Sequence, residues 1–155
     1  MSQKSKNLFF SQFRGQVRLS GYTAILSGAT ISWSSKKQST VSLSSTEAEY
    51  IAAARGAQEA TWIQTFLSEI GLPLKKPITL YVDNQSAIKL VQNPVAHDRT
   101  KHIDAKYHFI RDAQDKGLIK VEYCPTNSQV ADVLTKPLPR EKHQRFSESM
   151  GLTSA

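Results

Sequence analysis

The stretch Ile78–Ala87, ITLYVDNQSA, decides how this chain is read. Ile78, Leu80 and Val82 alternate with Thr79 and Tyr81 in a β-branched and aromatic run, which is the pattern of a strand. Lys76-Pro77 precedes it as a breaker pair and Asp83 ends it. Asn84 then stands as a cap for the helix that Ala87, Ile88 and Val91 announce. A single carboxylate is thus expected at the C-terminal lip of a strand, beside a helix N-terminus. In open α/β sheets ligands bind at that lip. Taken alone, the junction also suits an Asp that only caps the helix, so its meaning depends on the rest of the chain.

Upstream, Gly21–Leu26 and Ala29–Ser34 are strand-like and join across Ser27-Gly28, a hairpin pair. Ser44, Ser45 and Thr46 ahead of Glu47 and Glu49 mark a helix start. That helix is expected from about Thr46 to Ile70, with Ile63, Phe66, Leu67 and Ile70 on one apolar stripe and Gly71 and Pro73 closing it. Downstream, the helix after Asp83 ends near Asn93-Pro94, and another is expected from about Lys101 to Lys116, stopped by Gly117. Ile119–Cys124 (IKVEYC) reads as a strand that Pro125 ends. A last helix is expected from near Ser128, carrying Val130, Asp132, Val133 and Leu134, until Pro137 and Pro139 break it before an amphipathic piece reaching about Met150. Residues 1–19 are polar and basic around an apolar knot, Leu8, Phe9, Phe10 and Phe13, which suits a short strand or a disordered arm. Trp33 and Trp62 read as core aromatics, and Cys124 as a small buried hydrophobe. A hairpin followed by alternating helices and strands points to a mixed sheet with helices on its faces.

At 155 residues the chain suits one domain with a real core. Its single cysteine excludes an internal disulfide framework and a cysteine-based zinc site. No apolar run approaches a membrane span and no signal-peptide core follows Met1, so an intracellular protein, cytoplasmic or nuclear, is expected. The net charge of +7 is unevenly placed. The first 46 residues hold Lys4, Lys6, Arg14, Arg18, Lys36 and Lys37 and not one Asp or Glu. That imbalance suits a polyanion partner such as nucleic acid, or a merely basic soluble surface.

Three acids occupy comparable places: Glu49 in the first turns of the long helix, Asp83 at the strand end, and Asp132 in the first turns of the last helix. A cluster of three carboxylates repels itself unless cations neutralise it. Hard divalent ions are the natural partners, since Mg²⁺ takes a few carboxylates together with waters and phosphate oxygens. Two such ions about 3.5–4 Å apart clamp the attacking and leaving oxygens of a phosphodiester. His97 and His102, with Asp98 between them, lack a further ligand at helical spacing, which suits loop hydrogen bonding better than a metal site. Arg99, Lys101, Lys106, Arg111 and Lys116 suit either a track along a phosphate backbone or a solvated helix face balanced by acids.

The blocks SSTEAEYIAAA (Ser44–Ala54), LYVDNQSAIKLVQNP (Leu80–Pro94), HDRTKHIDAKYHFIRD (His97–Asp112) and ADVLTKPL (Ala131–Leu138) resemble the ribonuclease H domain of copia-type LTR retrotransposon Pol polyproteins. Order and spacing match from about Ser20 to Leu152. The resemblance implies an α/β, ribonuclease H-like mixed sheet with flanking helices, its first strand degenerate or missing. It also implies a domain over residues 20–152 behind a divergent basic segment over 1–19. The activity implied is hydrolysis of the RNA strand of an RNA–DNA hybrid with Mg²⁺ (or Mn²⁺). Because EYIAA follows it, Glu49 rather than Glu47 matches the helix acid; Asp83 and Asp132 match the other two, all three as catalytic residues and metal ligands. Ser45, Thr46, Asn84 and Gln85 match positions that touch the hybrid's minor groove, where short polar groups can meet 2′-hydroxyls. Helix capping suits these four as well.

One departure stands out. The family's first strand carries another catalytic Asp ahead of the hairpin that ends in SGY, here Ser20–Tyr22. Counting back without gaps puts Ser5–Asn7 in its place, and Asn7–Phe13 is the stretch able to stand in for the strand. Loss of a metal-bridging carboxylate removes most of the rate in such sites. The expectation is therefore a truncated or rearranged copy, monomeric, with impaired activity. The alternative is a non-catalytic nucleic-acid-binding or co-opted interaction protein of the same descent.

Overall fold

Alternating apolar residues become a five-stranded sheet in the computed structural model, which describes residues 9–10, 19–37, 45–92 and 101–153. Its strands are β1 (Phe9–Phe10), β2 (Leu19–Leu26), β3 (Ala29–Lys37), β4 (Ile78–Val82) and β5 (Ile119–Tyr123), in the spatial order β3-β2-β1-β4-β5. β2 runs antiparallel to β3 and β1, while β4 runs parallel to β1 and β5. The first strand is degenerate rather than missing. Its two residues join the halves of the sheet, with Phe9 opposite Ile25 and beside Thr79, and Phe10 opposite Ala24 and beside Leu80. Ser5–Asn7 lie outside the described residues.

The hairpin turns where the sequence predicts, with Ser27 at φ 55° and Gly28 at φ 88°. Two successive positive φ angles make a turn whose twist matches the flanking strands. Helix α1 (Ser45–Glu69) covers the sheet with a small-residue face: Ala53, Ala54, Ala57 and Ala60 are buried with Tyr50, Ile63 and Leu67. Alanines favour the helix and let its axis approach the strands closely. Ile78, Leu80 and Val82 of β4 each keep only 1% exposure beneath it. Helices α2 (Gln85–Gln92) and α3 (Lys101–Asp115) connect β4 to β5, burying Ala87, Ile88, Val91, Ile110 and Ala113. Helix α4 (Arg140–Ser149) closes the chain, burying Phe146, and the Met150 carbonyl accepts hydrogen bonds from the Thr30 N–H (3.1 Å) and hydroxyl (2.9 Å). Cys124 is buried, as predicted. No helix among the described residues is long and apolar enough to cross a membrane.

Three expectations are corrected. The helix predicted from Ser128 is instead a pair of 3-10 turns, Thr126–Ser128 and Val130–Leu134. Gln129 separates them in an extended conformation and is buried at 1% exposure, with Nε2 donating to the Tyr81 carbonyl at 3.4 Å. Burying a polar amide requires such a partner, and reaching it breaks the helix. Trp33 and Trp62 are surface residues at 64% and 59% exposure. Trp33 lies on the edge strand β3, and Trp62 lies one residue, or about 100° of rotation, off the buried Ile63. Phe66, one residue before the buried Leu67, leaves the predicted stripe in the same way and stacks on Trp62 with ring centroids 5.5 Å apart, while Ile70 is exposed because α1 has already ended at Glu69.

Strand order puts the chemistry at one edge. β4 lies beside β1, formed earlier, and β5, formed later, so the crossovers leave β4 in opposite directions. The crevice outside its C-terminal end is a topological switch point, and Asp83 follows Val82 there.

Candidate active site

Asp83 is not the cap of α2. Asn84 Oδ1 accepts the Ser86 N–H at 2.8 Å and the Ala87 N–H at 3.1 Å, which satisfies the helix start and leaves the Asp83 carboxylate for other contacts. Asp83 Oδ2 accepts the Thr126 hydroxyl at 3.3 Å. Its Oδ1 is buried with no hydrogen-bond partner among the described residues. One turn into α1, Glu49 is 2% exposed. Glu49 and Asp83 line one open cleft of about 340 Å³, together with Thr46, Asn84, Gln85 and Thr126. Four of the residues predicted from sequence to touch a ligand there, Glu49, Thr46, Asn84 and Gln85, thus meet around Asp83. The side chains of Ser45 and His102, and His97 and Arg99 altogether, lie outside the described residues.

Asp132, in the Val130–Leu134 turn, is fully buried beside this cleft. Burial pushes the Asp83 carboxyl above the ordinary aspartate range; the Thr126 hydroxyl opposes this and the charge of Asp132 adds to it. Burial also raises Asp132, against the pull of Lys136 and, more weakly, Lys142. Lys136 Nζ sits 2.7 Å from Asp132 Oδ2 in an ion pair, and Lys142 Nζ sits 3.8 Å from the same oxygen. Asp132 Oδ1 is buried with no hydrogen-bond partner among the described residues.

These features decide what the arrangement can hold. Hard oxygen donors on Glu49 and Asp83, with a bare buried oxygen on Asp83, fit a divalent cation better than any soft metal. Among the described residues, however, no three His, Cys, Asp or Glu side chains are arranged as a ready-made cage. Asp132 is held instead by a lysine. Sequence reading missed Thr126, Lys136 and Lys142. Lys136 had a signal, its i+4 spacing from Asp132; Thr126 and Lys142 reach the site only through the fold.

No protein-family model matches the chain. It is 46% identical, over 137 residues and 88% of its length, to the retrovirus-related Pol polyprotein from transposon RE1 of Arabidopsis thaliana, of which it covers 9%. It is 48% identical, over 134 residues and 86% of its length, to the corresponding polyprotein from transposon TNT 1-94 of Nicotiana tabacum, of which it covers 10%. The chain therefore spans about a tenth of the length of these relatives. Its fold is similar to the N-terminal RNase H domain of rv2228c from Mycobacterium tuberculosis, solved as a fusion with maltose-binding protein: the TM-score is 0.54, over 94% of this chain and 99% of that one, at 15% identity. That last likeness is one of fold alone. The sequence and the fold thus say two things: along nearly nine-tenths of its length the chain is homologous to a stretch of copia-type retrotransposon Pol polyproteins, and its fold is ribonuclease H-like.

Proposed function

We propose that this segment acts on RNA–DNA hybrids, hydrolysing the RNA strand slowly because its carboxylate set is one short. The observation that carries the reading is the convergence of Glu49 and Asp83 on one cleft rimmed by Thr46, Asn84 and Gln85. In this reading residues 20–152 are the nuclease-like domain, 1–19 is a divergent basic segment, and the place of action is the cytoplasm or nucleus. Glu49, Asp83 and Asp132 supply the negative charge that draws in Mg²⁺ (or Mn²⁺). When bound, such an ion contributes Lewis-acid stabilisation of the phosphoryl oxygens and a more acidic water.

The chain's own groups do the rest. Thr126 holds Asp83 Oδ2, and Oδ1, without a hydrogen-bond partner among the described residues, is the oxygen that would be offered to an ion. Ser45, Thr46, Asn84 and Gln85 offer short polar groups to 2′-hydroxyls, the feature that separates an RNA strand from DNA. The net charge of +7 favours a phosphate backbone. β1, the neighbour of β4, comes from a stretch of 46 residues without an acid, so it brings no further carboxylate to the ion. That same fact favours the second reading, a module that binds hybrid without cutting it.

Mg²⁺-dependent cleavage of a labelled RNA–DNA hybrid, with Asp83→Asn as control, tests both. Slow cleavage that disappears in the variant is expected. Hybrid binding that weakens with salt but never leads to cleavage would sink the enzyme and leave the binding module. Folded protein that neither binds nor cuts would sink both.

A further inference from the structure

We propose that Lys136 is a built-in counter-cation that restricts the acidic site to a single divalent ion. The inference rests on the reading above, in which Glu49, Asp83 and Asp132 are the site's carboxylates. Asp132 is fully buried, and its Oδ2 lies 2.7 Å from Lys136 Nζ. Asp132 is removed from water while the Lys136 side chain keeps 28% exposure, so the pair is screened less than one lying wholly on the surface. The backbone also fixes the lysine in place: the Lys136 N–H donates to the Asp132 carbonyl at 3.1 Å, so the ammonium returns to the same residue that its own backbone closes on.

Lys142 backs it up from α4. Its Nζ is 3.8 Å from Asp132 Oδ2, donates to the Thr126 carbonyl at 3.4 Å, and lies 5.2 Å from the centre of the Phe146 ring. Thr126 in turn holds Asp83. The two lysines are therefore wired into the acids rather than swinging freely at the surface.

Charge balance then sets the number of ions. Three carboxylates and the Lys136 ammonium leave a formal charge of minus two, and counting Lys142 at 3.8 Å leaves minus one, so a single divalent ion already brings the site to neutral or slightly positive. No residue before Glu47 can add another acid. A second ion would leave a net positive charge in the cleft beside the buried Asp132, where an unneutralised charge is costly. Lys136 and a second ion thus compete for Asp132, and the one ion belongs to Glu49 and Asp83.

The test counts ions without any turnover. Mn²⁺ is titrated into the full chain near neutral pH, and the free ion is followed by its electron paramagnetic resonance signal. Wild type is expected to bind one Mn²⁺ per chain. Lys136→Met is expected to bind a second, or to bind the first on the order of tenfold more tightly, because a like charge has left the site. Lys136→Arg, which keeps the charge, is expected to behave as wild type. Lys136→Gln is the substitute should Lys136→Met fail to fold.

Two ions on the wild-type chain overturn the proposal. So does an unchanged number and affinity in Lys136→Met or Lys136→Gln while Asp83→Asn abolishes binding, which leaves the acidic site standing without the lysine's role. Absence of Mn²⁺ binding in wild type and Lys136→Met alike overturns the proposal together with the reading beneath it.

Discussion

Gly21→Ala is the smallest perturbation that tests how the fold aims Asp132. Gly21 in β2 is where the Val130–Leu134 turn crosses the sheet: a Cβ there would lie 2.5 Å from Thr135 Cγ2, 3.3 Å from the Ser34 carbonyl oxygen and 3.6 Å from Leu134 Cβ. Gly21 is not among the residues with positive φ, so alanine meets a steric obstacle and no backbone strain. Carbon atoms rest at about 3.5–4.0 Å, so Thr135 has to retreat by about 1 Å. It is poorly free to do so. Its hydroxyl lies 3.4 Å from the Asp132 carbonyl and 3.5 Å from that of Ala131, and Ser35 Oγ donates to the Leu134 carbonyl at 2.8 Å. Rotating the side chain surrenders its weak contacts, and moving the turn carries Asp132 with it.

Overpacking of this kind costs about 1–3 kcal/mol. Replacing glycine by alanine returns about 0.4–1 kcal/mol through the unfolded chain. The net expectation is a loss of about 1–2 kcal/mol, or roughly 2–8 °C in Tm for a domain of this size. Urea and thermal unfolding of wild type, Gly21→Ala, Thr135→Ser and the double variant provide the assay. Thr135→Ser deletes only Cγ2, so the double variant should recover about 1 kcal/mol relative to additivity. A shift of about 1 Å at Asp132 should also lower hybrid cleavage, by up to about a hundredfold. If Thr135→Ser costs the same in both backgrounds, the clash is not with Thr135 and the account of how this turn is seated is wrong.

Two further outcomes follow from the same geometry. Asn84→Ala removes the acceptor of two α2 N–H groups and should cost about 0.5–2 kcal/mol; Asn84→Ser should restore most of it, and urea midpoints unaffected by either change would refute the capping role. In metal-free buffer, burial holds the Asp83 and Asp132 carboxyls above the ordinary aspartate range. The folded chain therefore binds more protons than the unfolded chain between the ordinary and the raised values, and stability falls as pH rises through that window. Asp83→Asn should flatten that fall and leave the variant more stable than wild type at neutral pH; a lower Tm than wild type at pH 7 would contradict it.

Much of this molecule was legible locally. The alternation in Ile78–Val82, the turn at Ser27-Gly28, the stops at Gly71 and Gly117 (φ 79° and 67°) and the Asn84 cap all lie in the structure where the residues predict them. Each depends on a residue's own backbone preference and on partners no more than a few positions away. The four sequence blocks likewise pointed to the fold, and Glu49, Asp83, Thr46, Asn84 and Gln85, scattered over forty positions, do meet.

What depended on a distant partner was not legible. Trp33 is exposed because β3 is an edge strand, and Trp62 because only one side of α1 faces the sheet; a hydrophobic residue carries no record of which surface will cover it. The helix expected from Ser128 gave way to two turns because buried Gln129 found its partner on β4. Lys136 carried a local signal in its i+4 spacing from Asp132, but Lys142 and Thr126 reach the acids only through the fold. Local sequence determined where strands, turns and caps form, since those energies are short-range. Only the tertiary structure decided which carboxylate faces the cleft and which is paired with Lys136, because burial and charge pairing are set by what the fold brings together across space.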